Sequence, residues 1–286
     1  MTVSMSRSDP FTMPEWKALN REASLVSKII GSGATALGRA SYGSGFGEYY
    51  TAFFGLSIGI ERLAKLILVA DHAISNGGEL PDESVVRKYG HKLKGLVKKV
   101  DQIATARGIS VTYVLPTDPI CVAVINCLDA FSDASRGRYA NFEAIGNPAF
   151  DSSNEPVNKW WAEVVEPILD RHYRGKRAED GVKPRAAIIN AMIGNVTSVL
   201  HTNETGDVMS DLTTASERTG QTKWAQRHGR FYTLSVVRWL SVIFNKMTHT
   251  AGYQPGLESL FGHYEFFTTY TLADNFLLTR KIWPRH

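Results

Sequence analysis

The chain has 286 residues, 43% hydrophobic and 21% charged, which fills one large or two medium domains and excludes wholesale disorder. Its formal net charge of +4 is a mild basic bias that tolerates a phosphate-rich partner without demanding one. The two cysteines, Cys121 and Cys127, have no zinc-site neighbours, the N-terminus has no apolar leader core, and no uncharged apolar run reaches membrane-spanning length, so a cytoplasmic protein with no membrane partner, metal or cofactor is expected.

Trp16 to Ile30 carries Leu19, Ala23, Val26 and Ile30 at three-to-four spacing and predicts an amphipathic helix. Gly31, Gly33, Gly38, Gly43, Gly45 and Gly47 follow, a density that disfavours a regular helix and predicts a flexible linker. A long apolar helix is expected from Glu48 to Ser75, closed by Asn76-Gly77-Gly78. Pro81-Asp82-Glu83 opens the next helix, or broken pair, which extends to Ala106 with Leu93, Leu96, Val97 and Val100 as its apolar stripe.

Ile109 to Leu115 is β-branched and reads as a strand or an extended connection. Pro119 to Phe131 predicts a buried helix and Trp160 to Tyr173 an amphipathic one; Arg174 to Pro184 reads as a charged loop between two halves. Arg185 to His201, Trp224 to Thr248 and Leu257 to Trp283 read as further helices. The expected fold is therefore all-α, with roughly seven to nine helices in one bundle or two packed ones. Residues 1–42 form an N-terminal helix and Gly-rich linker, 43–175 a helical bundle, and 185–286 a C-terminal helical segment packed on it.

Three clusters carry possible chemistry. Ser57, Glu61, Lys65 and His72 fall on one side of the first long helix, and Glu61 and Lys65 stand one turn apart in the favourable ion-pair orientation. His91 follows Gly90 and shares a helical face with Lys94 and Lys98; an imidazole serves as a general base and lysines attract phosphate. Arg136, Arg138, Tyr139 and Asn141 combine guanidinium forks for phosphate with a ring on which a base stacks. For the first two, a solvated face or ordinary packing is the plainer use; for the third, site and structure weigh evenly. The basic run Arg171, His172, Arg174, Lys176 and Arg177 reads as a solvated loop, and the glycines near Gly31 and Gly43 lack the strand and the Gly-Lys-Ser/Thr of a phosphate-binding loop.

The segments FFGLSIGIERLAKLILVADH, KYGHKLKGL and ASRGRYANFEAI together resemble the HEPN superfamily of helical-bundle proteins, over roughly residues 45 to 145. Glu61, Lys65, Gly90, His91, Leu93, Arg138, Tyr139 and Asn141 echo its Glu-x-x-x-Lys helix, Gly-His-x-Leu helix start and Arg-Tyr-x-Asn ending. The resemblance implies a bacterial defence or stress protein that binds a nucleotide, or binds or cleaves RNA. It also implies a homodimer and, where active, a metal-independent ribonuclease with an arginine and a histidine separated by four to six residues. This chain departs from that motif: Arg87 and His91 stand one residue too close, Arg136 is followed by Asn141 where the motif has histidine, and Arg280 and His286 match only at the far C-terminal end.

On this reading His91 is the base, Arg136 or Arg138 the phosphate clamp, and Glu61 with Lys65 the scaffold; Arg62, Tyr139 and Asn141 complete the RNA or nucleotide contacts. The alternative is a non-catalytic interaction or dimerisation module, for which Phe231, Tyr232, Trp239, Phe244, Tyr264, Phe266, Phe267 and Tyr270 supply apolar surface if exposed. A small-molecule enzyme with a pocket between bundles is a third reading.

Overall fold

A computed structural model describes residues 9–132, 155–193 and 201–284. Among them the chain is all-α apart from one short hairpin. Helix α1 (Pro14–Leu37) opens on a proline whose fixed φ suits the first turn, and α2 (Gly47–Ser75) runs beside it. The expected linker therefore begins too early: Gly31 and Gly33 lie inside α1, and Gly38 caps it. These glycines serve closeness. A Cβ on Gly33 would stand 2.9 Å from the Leu56 backbone nitrogen, and one on Gly55 would stand 2.9 Å from Gly33 Cα, so α1 and α2 touch backbone to backbone.

Helix α2 ends as its sequence requires, with Gly77 at φ 63° and the Gly78 N–H donating to Ala73 O at 2.8 Å. The next pair is α3 (Glu83–Lys88) and α4 (Leu93–Ala106), broken at Gly90, whose φ of 82° is left-handed. Residues 109–115 form bends and irregular chain rather than a strand. Helix α5 (Pro119–Ser132) is the expected buried element.

From Pro156 to His172 the backbone is continuously helical, as α6 (Pro156–Trp160), a π-helical stretch (Trp161–Val165) and α7 (Glu166–His172). Pro167 has no N–H for the carbonyl four residues back, which accounts for the widened ladder before it. Helix α8 (Arg177–Ile193) starts inside the supposed charged loop and holds Pro184 within it, and His201 belongs not to a helix but to a hairpin. That hairpin, β1 (His201–Thr202) against β2 (Val208–Met209), pairs His201 with Met209.

Helix α9 (Leu212–Ala251) is 40 residues long, and its Asp211 N-cap accepts from the Thr214 N–H. The C-terminal segment expected as one helix is instead two 3-10 helices (Glu258–Leu260 and His263–Tyr270) and the short α10 (Asp274–Thr279). Gly256 at φ 85° and Gly262 at φ 79° impose turns that a helix does not accept.

One buried cluster extends from Leu19 in α1 to Trp283 near the C-terminus. Trp239, Phe244, Phe267 and Tyr270 are buried in it, and Tyr232 nearly so, so most of the aromatic-rich half fills core and does not form an exposed patch. The hairpin turn sends Glu204 under α9, where its carboxylate meets Arg218 Nε at 2.9 Å, the Tyr42 N–H at 2.9 Å and the Tyr49 hydroxyl at 3.3 Å. No described helix is long and apolar enough to cross a membrane.

Candidate functional site

Glu61, Arg62 and Lys65 lie midway along α2, whose other faces pack on α1, α4, α5 and α9. Lys65 Nζ donates to Glu61 Oε1 at 2.8 Å, the contact that one-turn spacing predicts. Both side chains are largely shielded, with 14% and 16% of their surface exposed. Arg62, one position on, turns to α1 and pairs with Glu22 at 2.6 Å, so its guanidinium is already engaged there. Ser57 is fully buried and its hydroxyl donates within α2, to Phe54 O.

His91 reaches this pair from another element. It does not share a helical face with Lys94 and Lys98, because α4 starts only at Leu93. It sits in the turn before α4, where Gly90 redirects the chain and the Leu93 N–H donates to the Asp129 carboxylate of α5. Lys99 Nζ donates to Tyr89 O at 3.1 Å from the other side of the turn. So placed, His91 Nδ1 lies 2.9 Å from Glu61 Oε1 while 77% of its side chain remains exposed.

Lys65 Nζ is 3.5 Å from the same ring nitrogen. An ammonium only donates, so Nδ1 cannot serve both neighbours; the shorter contact makes Nδ1–H the donor to Glu61. In the neutral ring the lone pair then lies on Nε2. A carboxylate that orients an imidazole in this way leaves a base with its open nitrogen free to reach a ligand. Arg136, Arg138, Tyr139 and Asn141 lie outside the described residues.

A second polar constellation joins α5, α7 and α9, and the sequence reading missed it. Arg171 is not a solvated loop residue: Nη1 donates to Asp118 Oδ2 at 2.5 Å and to the Tyr232 hydroxyl at 2.9 Å. His172 Nε2 lies 2.9 Å from that hydroxyl, and its ring stacks on His228 with centroids 3.8 Å apart. His228 stacks in turn on Trp224, and neither of its nitrogens meets a protein partner. Burial, then the charges of Arg171 and Arg227, holds His172 below the ordinary histidine range. Burial, then His172 and Arg227, pushes His228 down to about 4.

Two neutral stacked imidazoles stand between the helices, and Arg171 shares its Nη1 between Asp118 and Tyr232. The signal was present as Trp224-x3-His228-x3-Tyr232, one face of α9 at four-residue spacing. Arg174 is likewise paired, with Glu166 and Asp170. Burial pushes the Cys121 thiol up to about 12 and the Cys127 thiol up as well, which leaves both as unreactive thiols. Among the described residues no group of three or more His, Cys, Asp or Glu side chains is placed to hold a metal ion.

No protein-family model, curated protein or solved structure matches the chain.

Proposed function

We propose that the chain binds RNA and cleaves it without a metal, at the face where His91, Glu61 and Lys65 meet. The observation that carries this reading is the exposed His91 ring held by the shielded Glu61 carboxylate at 2.9 Å. In the reaction His91 Nε2 takes the proton of a ribose 2′-hydroxyl as its oxygen attacks the adjacent phosphorus. The bond from phosphorus to the 5′-oxygen breaks, that oxygen takes a proton from water, and a 2′,3′-cyclic phosphate remains. Arg136 or Arg138 would clamp the charged phosphoryl group, as the family resemblance implies. Glu61 acts through His91 by holding its tautomer, and Lys65 keeps that carboxylate in place.

Incubation of the purified protein with a labelled RNA pool in EDTA tests this reading. Cleavage is expected, with a loss of roughly 100-fold or more in His91→Ala, a comparable loss in Arg138→Ala, and a smaller one in Glu61→Gln. Failure of the parent protein to cleave any RNA across a range of salt concentrations contradicts it. The implied homodimer belongs to the same reading and is checked by sedimentation.

The non-catalytic interaction reading has one observation of its own. Ile188, Ile189 and Met192 expose 59%, 42% and 77% of their surface on α8, an apolar strip of the kind that partners cover.

A further inference from the structure

Lys223, Gln226, Arg227 and Arg230 recur at three- and four-residue spacing, so they share one face of α9. The end of α1 at Gly38 and the segment around Lys281 border that face and form an open pocket of about 350 Å³ with it. Four cationic side chains line it, Lys223, Arg227, Arg230 and Lys281, and among the described residues no acidic one does.

Arg230 is the unusual member. Only 3% of its surface is exposed, yet among the described residues no carboxylate pairs with it; Nη2 reaches Leu278 O at 3.5 Å and Nε has no partner there. Nε of Arg227 is also buried without a partner. Other arginines of the same helix show what the fold does with a guanidinium it needs only for itself. Arg218 pairs with Glu204 at 2.9 Å and lies over the Trp161 ring, and Arg238 pairs with Asp274 at 2.6 Å and lies over the Tyr113 ring. Burial and the charge of Arg227 both work against the Arg230 cation.

Gly38 makes room for this arrangement. Its φ of −73° is open to any residue, so the turn does not require glycine. A Cβ there would stand 2.1 Å from Arg230 Nη1, so any larger residue makes the guanidinium move.

We infer that this pocket is an anion site for a diphosphate group, with Arg230 as its buried anchor and Arg227, Lys223 and Lys281 around it. Guanidinium forks match the oxygens of a phosphoryl group, and several cations without a carboxylate call for a ligand of more than one negative charge. No aromatic side chain lines the cavity, so the diphosphate itself is recognised and an attached nucleoside adds little. The site shares no residue with the His91 face, and the inference stands whether or not that face cleaves RNA.

Calorimetric titration of the full chain with inorganic pyrophosphate tests it, with adenosine diphosphate, adenosine and acetate at matched ionic strength as the other arms. Saturable one-to-one binding of pyrophosphate is expected, adenosine diphosphate binding within a few-fold of it and adenosine and acetate not at all. Arg227→Gln and Lys281→Gln, at the rim, should each weaken pyrophosphate at least about 10-fold. Gly38→Ala, which displaces Arg230, should weaken it further, and His91→Ala should leave it unchanged. Absence of saturable pyrophosphate binding, equal binding by the rim variants, or binding of adenosine alone would overturn the inference.

Discussion

At the scale of single residues, stability rests on a few buried polar groups whose partners come from far along the chain. Glu204 is 1% exposed and pairs with Arg218 across the start of α9. Removing Arg218 leaves the Glu204 carboxylate buried without a countercharge, held only by the Tyr42 N–H and the Tyr49 hydroxyl, so Arg218→Met should cost roughly 3–5 kcal/mol. The double variant with Glu204→Leu should recover part of that loss, since it removes the lone charge but leaves the Tyr42 N–H and the Tyr49 hydroxyl without their acceptor. Urea unfolding midpoints of the three proteins read the difference, and equal losses in the single and double variants would refute the coupling.

His228 sets a pH dependence. The native ring resists its proton down to about pH 4, whereas the unfolded ring takes one near 6.5. Between those values the unfolded state binds more protons, so stability is full above pH 6.5 and falls by up to about 3 kcal/mol as pH drops towards 4. The depressed value of His172 adds loss of the same sign. His228→Phe keeps a ring between Trp224 and His172, removes two unpartnered nitrogens, and should flatten the acid limb without loss at pH 7.5. Melting temperatures across pH 4.5–7.5 for both proteins check this.

Residue chemistry was partly legible in the sequence. The Glu61–Lys65 pair follows from spacing alone, because both side chains belong to one helix. The approach of His91 to Glu61 depends on the Gly90 turn and on Asp129 from α5, and no spacing rule carries that. The basic face of α9 stands in the sequence as Lys223, Gln226, Arg227 and Arg230, but which arginines find carboxylates depends on where the hairpin and α10 deliver Glu204 and Asp274.

At the scale of elements, glycine has two opposite uses that composition does not separate. The stretch from Gly31 was expected to be flexible, yet Gly31 and Gly33 lie inside α1, and Gly33 faces Gly55 at a backbone contact. The partner glycines were visible in α2; only the pairing was not. Gly55→Ala should push α1 from α2 and cost roughly 1–3 kcal/mol. Gly95→Ala in α4 meets nothing within 4 Å and should stabilise by about 0.5–1 kcal/mol through helix propensity. Opposite shifts in denaturation midpoint are expected, and shifts of the same sign would contradict this account of the α1–α2 contact.

Helix ends were legible at Asn76-Gly77-Gly78 and Pro119, but not at Pro14, Gly38 or Pro156, where the apolar pattern begins or stops inside the helix. The segment after Leu257 misled because its apolar residues suit any buried backbone, and local turns at Gly256 and Gly262 outweigh periodicity.

At the scale of the whole molecule, the C-terminal segment straps α1 onto α9. Trp16 Nε1 donates to Phe261 O at 2.7 Å, the Tyr270 hydroxyl to Ser27 O at 2.6 Å, and the Trp283 N–H to Thr35 Oγ1 at 2.9 Å. Trp283 is 3% exposed and stacks on Tyr270. Although it stands near the end of the sequence, Trp283→Ala should destabilise the protein by roughly 3–5 kcal/mol, as for a core aromatic. A change below about 1 kcal/mol in chemical denaturation would show that the strap is not part of the cooperative unit.

The same packing carries α2 and the turn before α4 to the positions at which Glu61 and His91 meet. The most direct measurement is the chemistry of the RNA ends left after incubation with the protein in EDTA. A 2′,3′-cyclic phosphate formed by the parent protein and absent with His91→Ala is the predicted result. Intact RNA with the parent, or the same ends in equal amount with His91→Ala, would contradict it.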